Sequence, residues 1–388
     1  MIYTIENSRE WIDSTWKKLE TKLSRTAQTA RNKLPDKSIN GVYNDVSDIP
    51  YAWTNGFWPG MMWLMYADTK DEEYRITAET GEELFASSLE TFEHMYHDLG
   101  FMWEISGGAN YRLTGSEKGK NRALLAASHL AGRFNLRGNY IRAWNGFWVE
   151  ETKSRDNVNI GWSIIDCMMN LPILYWASDE LKDDRYRYIA MAHADMAMEQ
   201  HVRADGSVIH IVDHDKETGE KIEFSANGYG QGYDNFNSSW SRGQAWALYG
   251  FILSYIHTGK QEYLDTAKRV AHYFISNMRG DYLPLADFRA PKEPVIYDSS
   301  AGACAACGLI EIANNVPEFE SEIYMDAAIR ILKAMEENWC DWSENEDAVL
   351  LMGSGSWNLE NYHGNYIFGD YYFVEALYKL RGNKILFW

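Results

Sequence analysis

Proline, cysteine and positive charge are all in short supply in this chain. Only 8 of the 388 residues are proline, so little interrupts helices. No Ser/Gly-rich or low-complexity tract marks a linker. Of the four cysteines, Cys304 and Cys307 form a C-x-x-C inside "SSAGACAACGLIEIA", a helical small-residue segment with no second Cys or His pair nearby. They read as buried packing thiols, not as a redox or zinc motif. Lys and Arg total 37 against 56 Asp and Glu, a formal charge of −19, which excludes nucleic acid and anionic membrane as partners. A small anionic ligand would need local cations against that field. No apolar run approaches the ~18 residues of a membrane span, and "MIYTIENSREWIDSTWKKLE" lacks the basic-then-apolar layout of a signal peptide. These absences predict a soluble cytoplasmic protein, a monomer or small homo-oligomer. Glycine-rich phosphate loops and H-x-x-x-H or Cys/His clusters are missing too, so no cofactor and no metal are expected.

What is abundant is apolar and aromatic. The hydrophobic fraction is 46%, with 16 Trp and 25 Tyr. Core filling accounts for only part of an aromatic share of 14%; the remainder suits a groove that stacks on ring-shaped ligands.

Helical periodicity dominates, and several segments resemble one another. "YADTKDEEYRITA" places Tyr66, a polar turn, Tyr74 and Ala78; "YIHTGKQEYLDTA" repeats this with Tyr255, Tyr263 and Ala267. "WASDELKDDRYRYIA" is a looser version, and "YMDAA" from Tyr324 keeps only the tail. The second helices are expected over 74–94, 186–201, 263–278 and 324–339, with further helices after Asn121 and over 369–380. Repeated helical hairpins imply a solenoid or a closed ring, and the irregular spacing disfavours an open solenoid. The expectation is an all-α (α/α)6 toroid, six hairpins and about twelve helices in two rings. It forms one domain over 1–388, with 1–40 as an N-terminal helical segment.

Polar groups and aromatics break the helical pattern together in five stretches. "YAWTNGFWPG" carries Trp53, and Pro59 suits a first helical turn. "HDLGFMW" carries Asp98, and "IRAWNGFW" carries Trp144. "GWSIIDCMMNLPILYWAS" reads as an apolar helical run with Asp166 inside it. "GQGYDNFNSSWSRGQAWALYG" brings Gln231, Asp234, Trp240, Arg242 and Trp246 to the start of a long apolar helix. A carboxyl among apolar side chains has its pKa raised, so Asp98 and Asp166 are the acid–base candidates. The plainer alternatives are that Asp98 caps a helix and that Asp166 bonds nearby backbone or the Asn170 amide. Arg242 offers a fork to a carboxylate, against the alternative of a surface ion pair with one of the 56 acidic residues. His210 is a candidate partner for an anionic substrate or a hydrogen-bonded strand histidine. Pocket, carboxylates, tryptophans and arginine together point to an acidic sugar.

The ordered segments "WTNGFWPG", "HDLGFMW", "IRAW", "IIDCMMNLPIL", "SSWSRGQAWALYGF", "DSSAGACAACGLIEIA" and "GDYYFVEAL" resemble the unsaturated glucuronyl hydrolases of glycoside hydrolase family 88. The resemblance runs through nearly the whole chain after about residue 40. It implies an (α/α)6 barrel and an unsaturated uronyl oligosaccharide as substrate. The implied activity removes a Δ4,5-unsaturated glucuronic acid from the non-reducing end of a lyase product by protonating and hydrating its vinyl ether. It also implies Asp166 as the general acid/base and Asp98 as the second essential carboxylate. Trp53, Trp144, Trp240 and Trp246 match pocket aromatics; His210, Gln231 and Arg242 match polar positions around the uronate. The His210 match is loose, because "HIVDHD" stands where the family tends to H-T-F-Y-F-D.

Ser356 and Trp357 fall on the aglycone side. Members that favour sulfated disaccharides tend to carry Ser-x-x-Ser-x-Lys there. In "SWNLEN" Ser356 remains, but Leu359 and Asn361 replace the second Ser and the Lys. The missing cation removes a contact to sulfate. Two alternatives stay open: an unsaturated rhamnogalacturonyl hydrolase on the same fold, and a non-catalytic or isomerising sugar-binding toroid.

Overall fold

Two kinds of helix alternate along the chain, one apolar on every side and one apolar along a single stripe. The computed structural model describes residues 2–149, 154–156, 158–222, 237–355, 357 and 363–388. Helix α1 spans Arg9–Thr29, α2 Phe57–Thr69 and α3 Glu72–Leu84. Next come α4 (Leu99–Trp103), which runs through a π-helical turn, Glu104–Gly108, into α5 (Ala109–Thr114), and then α6 (Glu117–Ala131). The remaining helices are α7 (Pro172–Leu181), α8 (Arg185–Gln200), α9 (Ser241–Thr258), α10 (Gln261–Ser276), α11 (Ser299–Asn315), α12 (Glu318–Trp339) and α13 (Ile367–Leu380).

Helix α2 is buried continuously from Phe57 to Met65, and α9 from Ser241 to Ser254; α11 and α13 are similar. A helix without a wet face belongs inside. Helix α10 instead buries Tyr263, Leu264, Ala267, Val270, Ala271 and Phe274 at helical spacing and leaves its other face in water. Taking α4–α5 as one interrupted helix, α2, α4–α5, α7, α9, α11 and α13 line the inside. Helices α3, α6, α8, α10, α12 and α1 back them, each packed on its hairpin partner. The chain is an α/α toroid closed by α13 meeting α1 and α2. At the closure, Asp370 accepts from the Tyr43 hydroxyl at 2.5 Å and from the Val349 and Leu350 amides, while Arg381 pairs with Asp68 and Asp13.

The repeated hairpin of the sequence is a repeated turn. Lys70, Gly115, Lys182 and Gly259 end α2, α5, α7 and α9, all in the left-handed conformation, which terminates a helix by returning an N–H to its last turn. The Tyr–Ala pairs Tyr74/Ala78, Tyr186/Ala190, Tyr263/Ala267 and Tyr324/Ala328 are all buried. Most boundaries shift by one to four residues, as with α6, which starts at Glu117 and not after Asn121, and two shift further. Helix α3 stops at Leu84, where a 3-10 turn over Ala86–Glu90 takes over, and α12 begins six residues before Tyr324.

The opening of α7 is a larger correction. The run from Trp162 to Met169 is not α-helical: Trp162–Ile164 is a strand and Ile165–Met169 a single 3-10 helical turn, with α7 starting only at Pro172. A short apolar run carries no period that separates strand from helix. The strand pairs antiparallel with Ile211–Asp213, Ile164 opposite Ile211. That ladder is how two distant segments enter the site together.

Candidate functional site

All the inner helices begin at one end of the ring. Trp53 precedes α2, Asp98 stands at the first position before α4, and Asp166 precedes α7. Trp240, Asp298 and Tyr366 precede α9, α11 and α13. The positive ends of the helix dipoles therefore converge there, a local field opposite in sign to the net charge.

Asp166 lies on the 3-10 turn, and its side chain keeps 21% of its exposure. The Ile165 amide donates to the His210 carbonyl at 3.0 Å, which sets His210 beside it. His210 Nε2 stands 3.2 Å from Asp166 Oδ1. His210 also packs on Trp240, ring centres 4.5 Å apart. Asn170, fully buried, donates to the Asp166 carbonyl at 3.2 Å and accepts the Phe101 amide at 2.8 Å. It thus ties the Asp166 turn to the helix that follows Asp98. It does not bond the Asp166 carboxylate, so that plainer reading fails.

Asp98 occupies a helix-start position, yet its side chain makes no capping bond. Its Oδ1 is 3.5 Å from Nε2 of His97. Burial, joined by the Asp166 charge, pushes the Asp98 carboxyl up to about 8. Burial drives Asp166 up too, but His210, His97 and Arg242 outweigh it and bring Asp166 below the ordinary carboxylate range. Burial holds His97 down at about 3, so at neutral pH His97 is neutral, and His210 and Arg242 are the groups that hold Asp166 down. The pair therefore holds one proton between two carboxyls, and that proton sits on Asp98. The sequence expectation of a raised Asp166 is corrected here.

Arg242 is not an open fork. It is buried, and Nη1 donates to Asp298 at 3.2 Å, to the Ser300 hydroxyl at 3.2 Å and to the Ser354 carbonyl at 2.6 Å. Nη2 reaches the Gly355 carbonyl at 3.5 Å. The guanidinium lies over Trp240 and Phe368, 4.7 and 4.9 Å from the ring centres. Its charge faces the site while its Nη1 hydrogens hold the loop at 354–355. Arg242 does pair with an acid, Asp298, but both partners are buried, so the pair is not the surface one that the plainer reading supposed.

The tryptophans divide into two groups. Trp53 is half-buried against Phe57, Phe101 and Phe368. Trp144 is half-buried, edge-on to His97 and to Trp162. Trp240 shows 5% of its surface. Trp246 shows none; it packs on Phe101 and Tyr372. It supports the floor and offers no face to a sugar, which corrects its place among the stacking residues. Trp357 is half-buried, two residues beyond the Gly355 that meets Arg242. Gln231 and Ser356, with Asp234, Leu359 and Asn361, lie outside the described residues. Cys304 and Cys307 are buried thiols on α11, and Cys307 Sγ meets the Tyr372 carbonyl at 3.2 Å. Among the described residues no three His, Cys, Asp or Glu side chains gather as ligands for a metal.

The far end of the ring is shut. Trp388 is buried on the axis, stacked on Tyr372 and edge-on to Tyr249, Tyr371 and Phe101. Its Nε1 donates to Glu375 at 3.2 Å. Its carbonyl and that of Phe387 receive His257 and Arg112, near the last turns of α9 and α5.

No protein-family model matches the chain. Among curated proteins it is 36% identical over 362 residues to an unsaturated glucuronyl hydrolase of Bacillus sp. (strain GL1), covering 91% of each. The chain belongs to the unsaturated glucuronyl hydrolase family. A second relative in the family's range, an unsaturated chondroitin disaccharide hydrolase of Streptococcus agalactiae serotype III (strain NEM316), is 32% identical over 90% of this chain and 86% of its own. The crystal structure of the unsaturated glucuronyl hydrolase from Bacillus sp. GL1, described as responsible for the degradation of glycosaminoglycan, superimposes with a TM-score of 0.84 at 34% identity. The match covers 94% of this chain and 96% of that one.

His97, Arg133 and Asp298 join the site without standing out in the sequence, and Asn170 bonds the Asp166 carbonyl where its carboxylate was expected. His97 adjoins Asp98 and Asn170 lies four residues past Asp166, so both signals were local. Arg133 and Asp298 act across more than thirty residues of chain and leave no local pattern.

Proposed function

We propose that this hydrolase removes the Δ4,5-unsaturated glucuronic acid from the non-reducing end of lyase-generated glycosaminoglycan-type oligosaccharides. The observation that carries the reading is the pair Asp98 and Asp166, set at the starts of neighbouring inner helices with one proton between them. The vinyl ether needs that combination: a proton delivered to C4, and a base that takes one back from the water added at C5. The hemiketal then opens, and the hemiacetal left at C1 expels the aglycone alcohol. One proton goes out and one returns, so the pair ends as it began. Asp98 holds the proton in the free enzyme and passes it to Asp166, which delivers it to C4, takes one from the attacking water and returns it to Asp98. The converging helix starts and Arg242 favour the uronate. Trp53, Trp144 and Trp240 flank the sugar, with His210 orienting Asp166. Gln231, Ser356 and Trp357 keep the uronate-side and aglycone-side roles that the sequence resemblance implies.

The whole of 1–388 is read as a single catalytic domain, supported by one apolar cluster running from Ile12 to Trp388. A cytoplasmic location is favoured by four unbridged cysteines. Leu359 and Asn361 favour unsulfated aglycones.

The test follows the ultraviolet absorbance of the conjugated double bond with lyase disaccharides from unsulfated chondroitin, hyaluronan, heparin and rhamnogalacturonan. Loss with the glucuronyl substrates is expected, fastest without sulfate, and Asp166→Asn should slow kcat by about 10²–10⁴-fold with binding retained. Turnover of the rhamnogalacturonan product alone, or unchanged turnover by Asp166→Asn, overturns the reading.

A further inference from the structure

Asp98 sits on a loop, 92–98, with no regular structure of its own until α4 begins. What holds that loop lies behind it. Arg133, just past the end of α6, donates from Nη1 to the Met95 carbonyl at 2.8 Å and to Asn145 Oδ1 at 2.9 Å. Nη2 donates to the Ala143 carbonyl at 3.1 Å and Nε to the Arg142 carbonyl at 2.8 Å. All four acceptors are uncharged, so the side chain is spent on backbone and amide and its positive charge is left uncompensated by them. The same two segments are joined by the His97 amide to the Ala143 carbonyl at 3.1 Å. The Asn145 amide adds bonds to the Phe92 and Glu93 carbonyls at 3.2 and 2.8 Å.

We propose that Arg133 is a positioning residue for the reaction: its guanidinium clamps the loop carrying Asp98 to the segment carrying Trp144 and sets a fixed positive charge behind the Asp98 carboxyl. A planar five-donor fork is the side chain that can reach carbonyls on two segments at once. The inference rests on the reading of Asp98 as half of the acid–base pair. The groups facing Asp98 are the neutral His97 imidazole, the Asp166 carboxylate, the Cys167 thiol and Arg133; Arg142 and Tyr96 face Arg133 in turn. The Arg133 charge pulls Asp98 down while burial and Asp166 push it up. Removing the charge alone therefore raises Asp98 further.

The experiment compares wild type with Arg133→Gln, Arg133→Lys and Asn145→Ala on an unsaturated disaccharide, reading kcat and KM against pH, with thermal unfolding alongside. Arg133→Gln is expected to lower kcat by about 10- to 100-fold and to move the alkaline limb upward by ~0.5 unit or more. Arg133→Lys keeps the charge and loses the fork, so kcat drops and the limb stays. Asn145→Ala, which carries no charge, should lower kcat without moving the limb, and it decides the clamp if Arg133→Gln does not fold. Folded variants with wild-type kcat and an unmoved limb overturn the proposal. Asp98→Asn separates the two layers. If it is inactive while the Arg133 and Asn145 variants behave as wild type, only the positioning role falls. If it turns over normally, the reading of Asp98 falls and takes this one with it.

Discussion

Asp98 and Asp166 are the same side chain in similar apolar company, and their protons go opposite ways because of what faces them. Asp166 looks at His210 and Arg242; Asp98 looks at a neutral imidazole and at Asp166 itself. With the acid form of Asp98 required, kcat should fall as pH rises through about 8. A pH–rate profile checks this, and a flat profile from pH 6 to 10 would remove Asp98 as the proton store. The Arg242–Asp298 pair makes a second prediction. Asp298 is fully buried, so Arg242→Met strands its charge and should cost about 3 kcal/mol, read from the urea midpoint. Both aspartates were legible in the sequence, since carboxylates inside apolar stretches are conspicuous. Which of them holds the proton was not legible, because the groups that hold Asp166 down, His210 and Arg242, lie far from it in the chain. Arg242 was visible as a pocket residue, but its occupation by Asp298 and Ser354 needed the fold.

At the scale of elements, the site depends on close backbone approaches. Gly250 of α9 lies under the turn that carries Asp166, and a Cβ there would stand 2.5 Å from Met168 Cβ and 2.8 Å from its carbonyl carbon. Gly100 of α4 approaches Asn170 in the same way, and a Cβ there would stand 2.6 Å from the Asn170 Cα. Gly250→Ala should therefore displace the turn, costing about 1–3 kcal/mol of stability and up to about 10²-fold in kcat. An unfolding curve and a rate at saturating substrate measure the two separately, and an unchanged rate would show that the turn tolerates the shift. The hairpins were readable because Tyr, a charged turn and Ala recur at fixed spacing, and the fold uses that spacing for left-handed turn residues and buried Tyr–Ala contacts. The strand at 162–164 was not readable. Its partner at 211–213 lies beyond α8, and three residues carry no period of their own.

The whole molecule buries acids in an already acidic chain. Burial raises Glu82 to about 7, Asp370 to about 7 and Asp98 to about 8, against about 4 for the unfolded groups. The folded state therefore binds more protons than the unfolded state across that interval, so stability falls as pH rises through it. Above about pH 6.5 the histidines held low by burial no longer offset this, since they are neutral in both states. The urea midpoint should drop between pH 6.5 and 8.5, and a midpoint that rises there would contradict the burial of these acids. The toroid itself was legible from repeat and resemblance together; its closed floor was not, since nothing in the sequence says where Trp388 packs. That floor carries a kinetic consequence. A ring shut at one end has a single doorway, so an acid-derived product seated deeper than the aglycone, as the proposed function places it, can leave only after the aglycone has gone. Release is then ordered, with the keto-acid fragment inhibiting competitively against substrate and the aglycone not, a distinction that product-inhibition kinetics can draw.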